Sequence, residues 1–292
     1  KNFDPHTKNS KTDGKVILYF DPKYLSIHTY SNLVHFQTEE FDCHFNVKKT
    51  IAKSIDFSPF GGISILSETD YAGFKHFFHH VIDKLKAIGT DKIVIIQPPF
   101  FYPNFLPADW LIKYGFQIIG EEKLQYIDLQ NSIQLHDMQK RKLKQSAGFE
   151  IRKVELDEIS EIHDFIAQCR KYNGLEINIS KEKLLALFEA FPDNYEAFLL
   201  KINGKLASAV IMTRPTSKVC YYYLPATDAE FKSQSPMVHL LNHLTNHYQT
   251  LGFNFMDLGI SSIDGNLQTS LADFKKRMGA QMTDRILFEL TI

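Results

Sequence analysis

At 292 residues the chain has room for two domains or one large one, and an apolar content of 44%, with 24 Phe and 13 Tyr, is enough to fill a core. A formal net charge of −1 excludes a globally cationic nucleic-acid coat, so a polyanionic partner must be met by a local patch. Cys43, Cys169 and Cys220 have neither zinc nor redox spacing and read as reduced thiols of a cytoplasmic protein. No apolar stretch is long enough to span a bilayer, and no signal peptide is visible, although the start at Lys1 leaves room for an upstream segment.

Residues 1–14 are polar and aperiodic and read as a flexible tail. An apolar run over 16–20 predicts a buried strand, and aromatic, β-branched segments predict further strands over 24–28, 33–37, 41–47 and 51–57. Ser58-Pro59-Phe60-Gly61-Gly62 breaks this pattern. Phe74, Phe77, Phe78, Val81 and Leu85 recur at helical spacing and predict a helix over 70–88, stopped by Gly89. A strand over 92–97, a short helix over 108–114 and a closing strand to Leu129 complete the first half.

The basic helix Gln139-Lys140-Arg141-Lys142-Leu143-Lys144 leads into a strand over 149–154 and helices over 157–171 and 180–191. Asn203-Gly204 marks a hairpin between strands over 195–202 and 206–213. A strand over 219–224 precedes a helix that opens at Ser235-Pro236 and stops at Gly252. A strand over 253–258, the loop Asp264-Gly265-Asn266-Leu267, a short basic helix within 272–280 and a last strand to Ile292 follow.

The two halves repeat. Phe57-Ser58-Pro59 answers Tyr223-Leu224-Pro225, and the strand over 92–97 answers that over 253–258. Ala108-Asp109-Trp110-Leu111-Ile112-Lys113-Tyr114-Gly115-Phe116 aligns without a gap on Ala272-Asp273-Phe274-Lys275-Lys276-Arg277-Met278-Gly279-Ala280. This is a duplicated α/β unit with mixed sheets covered by helices. Where the first copy has Leu111 and Ile112, the second has Lys275 and Lys276. Fold maintenance does not require cations there, so the second pair is either a solvated helix face or a ligand site.

The order hairpin, strand, helix, strand, short helix, strand resembles the GNAT acyltransferase fold, occurring here twice. Together with Ser58-Pro59-Phe60-Gly61-Gly62, the basic helix before Gly148-Phe149 and Phe274-Lys275-Lys276, it resembles the Fem family of bacterial aminoacyltransferases. The resemblance implies two tandem GNAT-like domains over 15–135 and 147–292, joined by a basic helix over 136–146. It implies transfer of an aminoacyl group from aminoacyl-tRNA to the amine of a UDP-linked or lipid-linked muramyl peptide, with no cofactor. The long charged hairpin that some members insert is missing. By resemblance Phe274 and Lys275 are catalytic residues at the tRNA end, with Lys276 as backup, and Arg170 and Tyr222 hold the acceptor's phosphates.

Other roles stay open on the residues themselves. Asp257 is a catalytic acid–base candidate or a loop cap. Gly61 and Gly62 form a phosphate-cradling nest or an ordinary turn, and Phe60 and Gly61 are the substrate-binding candidates there. Arg141 tracks RNA backbone or is a solvated linker charge. Acetyl-CoA is the alternative donor, but the place that would cradle its pyrophosphate reads Phe231-Lys232-Ser233-Gln234-Ser235-Pro236-Met237, with no glycine and with a proline that lacks an N–H. A silent double-GNAT binding module is a third reading. His76, His79 and His80, and His239, His243 and His247, lie along single helices and are not read as a metal site. The oligomeric state is left open.

Overall fold

The computed structural model describes residues 17–28, 32–55, 58–263 and 265–292. The predicted tail over 1–14, Val16, the end of the predicted strand over 51–57 and Asp264 lie outside the described residues. A 3-10 turn, Leu18–Phe20, leads into α1 (Pro22–His28). The first half continues with β1 (Leu33–Gln37), β2 (Phe41–Lys48), β3 (Ile51–Ser54), β4 (Ile63–Ile65), α2 (Tyr71–Ala87), β5 (Lys92–Ile96), α3 (Ala108–Tyr114) and β6 (Gln117–Asp128). The connecting α4 (Asp137–Leu143) precedes β7 (Phe149–Lys153), α5 (Ile159–Tyr172), α6 (Lys181–Ala190), β8 (Tyr195–Ile202) and β9 (Lys205–Thr213). β10 (Val219–Thr227), α7 (Pro236–Thr250), β11 (Phe255–Ile260), β12 (Ser262–Ile263), β13 (Asn266–Leu267), α8 (Thr269–Arg277) and β14 (Gln281–Thr291) close the chain.

Two expected strands are not strands. Residues 18–20 form a 3-10 turn, and 24–28 belong to α1. A short run buried on every side carries no period that separates strand from helix. Pro22 pre-sets the backbone at the first helical position, and Tyr24, Leu25 and His28 then share one buried face. This segment crosses to the second half, where the Leu18 amide donates to the Pro215 carbonyl (3.0 Å).

Among the described residues the main sheet has 12 strands in the order β1-β2-β3-β5-β14-β6-β11-β10-β9-β8-β7, with β4 beside β2. Its pairing is mixed: β3–β5 and β10–β11 are parallel, and the others antiparallel. The two halves exchange their closing strands. β14 runs between β5 and β6, while β6 runs between β14 and β11. The cores exchange with them: Phe288 of β14 packs under α2, and Ile127 of β6 packs under α7. α5, α6 and α1 cover one face of the second half, and α4, α7 and α8 cover the other. No helix among the described residues is long and apolar enough to cross a membrane, and Cys43, Cys169 and Cys220 are buried and free.

Candidate active site

The site forms where β10 and β11 part. Their parallel pairing runs Val219–Phe255, Cys220–Met256, Tyr221–Asp257, and then stops. Each strand carries one extra residue at this point. On β10 the ladder with β9 skips Tyr223, and on β11 the ladder with β6 slips between Asp257 and Ile260. Such bulges bend a strand and re-aim its side chains. Gly259 has φ +72°, and a β-carbon there would lie 3.4 Å from the Tyr221 ring, so backbone and ring meet closely.

A cavity of about 430 Å³ opens in the gap, walled by Tyr222, Met237, Arg170, Phe274 and Lys275. A second cavity, of about 190 Å³, lies beneath Tyr19 and Tyr24. Tyr221, Tyr223, Gly259 and Ile260 line both. The parting strands thus form a wall shared by two adjoining cavities.

Two buried ionisable groups flank this wall. Asp257 is fully buried; its Oδ2 accepts from the Tyr102 hydroxyl (2.9 Å) and its Oδ1 from the Gly259 amide (2.7 Å). Burial pushes its carboxyl up to about 6, against the lowering effect of those two bonds and of the Lys275 and Arg285 charges. Lys275 is 4% exposed, and its Nζ donates to the carbonyls of Gly259 (3.0 Å) and Ile260 (2.9 Å). Burial lowers its ammonium to about 8, with the Asp257 charge opposing. Near neutral pH the junction therefore holds a carboxylate and an ammonium, each within about two units of changing charge.

The first half shows the same place filled. Its parallel pairing stops at Lys53–Val94, which makes Ile96 the counterpart of Gly259. The Ile96 carbonyl takes the Gly61 amide (3.0 Å), and its amide donates to the Ser54 hydroxyl (2.9 Å). Leu111, opposite Lys275 in the repeat, is wholly buried. In the first copy a backbone amide meets the carbonyl that the Lys275 ammonium meets in the second.

Of the residues singled out from the sequence, Phe274, Lys275, Arg170 and Tyr222 line one cavity, and Asp257 is buried behind it, accepting from the amide of the lining residue Gly259. The residues given to donor and to acceptor thus share a single space. Arg170 Nε donates to the Glu176 carbonyl (3.1 Å), and the Tyr222 hydroxyl lies 2.6 Å from Met237 Sδ. The other candidates lie apart from this cavity. Phe60 is fully buried, its ring 4.2 Å from that of Tyr102, and the Gly61 amide is spent on Ile96. Arg141 and Lys276 are exposed on α4 and α8. Four residues at the junction were missed: Tyr19 lies on the misread segment, Tyr102 in an aromatic loop, Gly259 at the bulge, and Arg285 on the exchanged strand.

α7 begins at Pro236, after Ser235 in a left-handed conformation (φ 55°). A cavity of about 200 Å³ there is lined by Lys142, Lys232 and Phe274 and continues the larger one along Phe274, Met237 and Thr227. On β1 and β2, His35, Asp42 and His44 come together, with His35 Nε2 2.8 Å from Asp42 Oδ1. The two imidazoles stack 4.0 Å apart at an interplanar angle of 4°, so one ion cannot lie in both ring planes.

Residues 137–276 match the family described as "Acetyltransferase (GNAT) domain". No curated protein matches the chain in sequence. Among solved structures, FemX superposes with a TM-score of 0.67 at 12% identity, covering 94% of this chain and 92% of its own. L-PGS from Bacillus licheniformis does so with 0.62 at 11% identity, covering 94% and 87%. The C-terminal DUF2156 domain of a candidate lysylphosphatidylglycerol synthetase from Agrobacterium fabrum gives 0.61 at 14%, covering 92% and 87%. At these identities the likeness is one of fold. The chain has a double GNAT-like α/β fold, and the GNAT domain match falls in its second half and the helix before it.

Proposed function

We propose that the protein is a Fem-like transferase that moves an aminoacyl group from an activated ester, by resemblance an aminoacyl-tRNA, to an amine such as that of a UDP-linked or lipid-linked muramyl peptide. The observation that carries this reading is the pair of cavities meeting at the Tyr221–Gly259 wall, with the Lys275 ammonium buried beside it. The structural likeness to FemX and L-PGS supports the choice of an aminoacyl donor.

The ester's acyl end enters the larger cavity against Phe274 and Lys275. The amine approaches across the shared wall, and its nitrogen bonds the carbonyl carbon. The ester C–O bond breaks, and the departing ribose oxygen takes the proton the amine sheds. The ester is already activated, so the protein's contribution is orientation and stabilisation of the carbonyl oxygen as it gains negative charge. Lys275 supplies that positive charge from a desolvated position. The basic side chains of α4 and α8, Arg141 and Lys276 among them, offer phosphate contacts outside the cavity.

The test is binding and transfer with charged tRNA, acetyl-CoA and a UDP-linked muramyl peptide at one fixed salt concentration. Saturable binding of the first and third, with transfer to the amine, is expected. Acetyl transfer from CoA, with no use of charged tRNA, overturns the choice of donor.

A further inference from the structure

We infer that the smaller cavity is the acceptor subsite and that it takes an amine carried on the same carbon as a carboxylate, with the carboxylate held by Arg285. This rests on the reading of the protein as an acyl transferase.

The cavity is built from both halves. Tyr19 and Tyr24 come from the N-terminal segment that crosses the molecule, Tyr221 and Tyr223 from β10, and Arg285 from the exchanged strand β14. Tyr19 is tied in place through its hydroxyl, 3.4 Å from Thr213 Oγ1, and its ring meets that of Tyr24 edge-on at 5.4 Å. Tyr223 donates to Asn178 Oδ1 across the mouth (3.4 Å). Tyrosine rings present negative faces to an ammonium, and their hydroxyls suit a carboxylate.

Arg285 is the one charged side chain lining this cavity among the described residues, and it is 13% exposed. It donates through Nε and one terminal nitrogen to Glu122 Oε2 and through the other to the Pro59 carbonyl. A guanidinium has five N–H donors, so two remain. The two that remain can pair with one carboxylate.

Its position fixes where the ligand's anion must be. Arg285 lines the same small cavity as Tyr221 and Gly259, the residues at the wall where the strands part. A nitrogen placed to cross that wall therefore sits close to Arg285, and the cavity of about 190 Å³ leaves little chain between them. A carboxylate on the amine's own carbon satisfies both groups at once. A remote carboxylate does not.

Three probes of one chain length separate the terms: 2,6-diaminopimelate, cadaverine (the same chain without carboxylates) and pimelate (the same chain without amines). Titration calorimetry on the full chain, without any donor, is expected to show diaminopimelate binding at least about tenfold tighter than either of the others, as a charge-assisted pair implies. The double variant R285Q/E122Q, which leaves no orphaned carboxylate, is expected to lose the preference over cadaverine. K276Q, a change of an exposed charge outside this cavity, is expected to keep it. Cadaverine binding as tightly as diaminopimelate, or no binding of diaminopimelate to the folded wild-type protein, overturns the inference. Diaminopimelate binding with no transfer from charged tRNA would leave this subsite standing and remove the donor assignment instead.

Discussion

The Lys275 ammonium lies 3.0 Å from the carbonyl oxygen of Gly259, at the place where the first half puts the Gly61 amide on the carbonyl of Ile96. The same backbone acceptor is satisfied twice, once by a neutral peptide group and once by a buried charge. The neutral solution is less costly, because a buried charge pays desolvation that its bonds only partly repay. The charged one is the solution found in the second copy.

Replacing Lys275 by Met keeps the stem and removes the charge. The change in stability is expected to stay within about 1 kcal/mol, because the loss of two hydrogen bonds is offset by the end of desolvation. Transfer is expected to fall by a factor on the order of 100 in kcat/KM, the size of a lost electrostatic contact to a developing oxyanion. Thermal melts and steady-state kinetics on the same preparation decide it. Full activity in K275M would remove Lys275 from the chemistry.

Activity is expected to be bell-shaped in pH. The alkaline limb, near 8, is Lys275 losing its proton, and the acid limb, near 6, is Asp257 gaining one, which removes the charge that faces the Lys275 ammonium at the junction. Stability runs the other way. Asp257 is raised above its ordinary 3.8, so the stability its protonated form contributes is lost as pH rises through about 6. Lys275 is lowered from 10.5, so the stability of its neutral form is lost as pH falls through about 8. Both groups therefore cost stability near pH 7, and D257N/K275M is expected to melt at a higher temperature there than the wild-type protein. A lower melting temperature for the double variant would contradict the argument.

Gly61 is fixed by space. A β-carbon there would fall 2.2 Å from Cβ of Ser54, whose hydroxyl holds the Ile96 amide. Gly61→Ala is expected to destabilise the protein by about 1–3 kcal/mol, the usual range for overpacking. Urea titration reads this directly. An unchanged midpoint would mean that the packing around Gly61 is loose.

Much of the fold was readable because the chain states it twice. The gapless alignment of Ala108–Phe116 on Ala272–Ala280 located both short helices and isolated Lys275 against Leu111. Hydrophobic period, Asn203-Gly204 and Ser235-Pro236 placed most of the remaining elements. Long-range pairing was not readable. Nothing local in residues 281–291 says that they lie between β5 and β6, so neither the strand exchange nor Arg285 at the junction was visible. Burial hid the rest: Phe60 looks like a loop aromatic in the sequence, and only packing shows that it is core.

Tyr102 joins the halves at the strand junction. It comes from the loop after β5 and donates to Asp257 on β11, 155 positions away. That bond helps hold the Asp257 carboxyl down against burial. Tyr102→Phe removes it and leaves the ring packed on Phe60. With desolvation less opposed, the Asp257 value rises, and the acid limb of the activity profile is expected to move up from about 6 by on the order of half to one unit. The alkaline limb, set by Lys275, is expected to stay in place, which separates this effect from general loosening of the site. Rate–pH profiles of Y102F and the wild-type protein under identical salt make the comparison. An acid limb that does not move would show that Asp257 is not the group whose protonation limits the reaction.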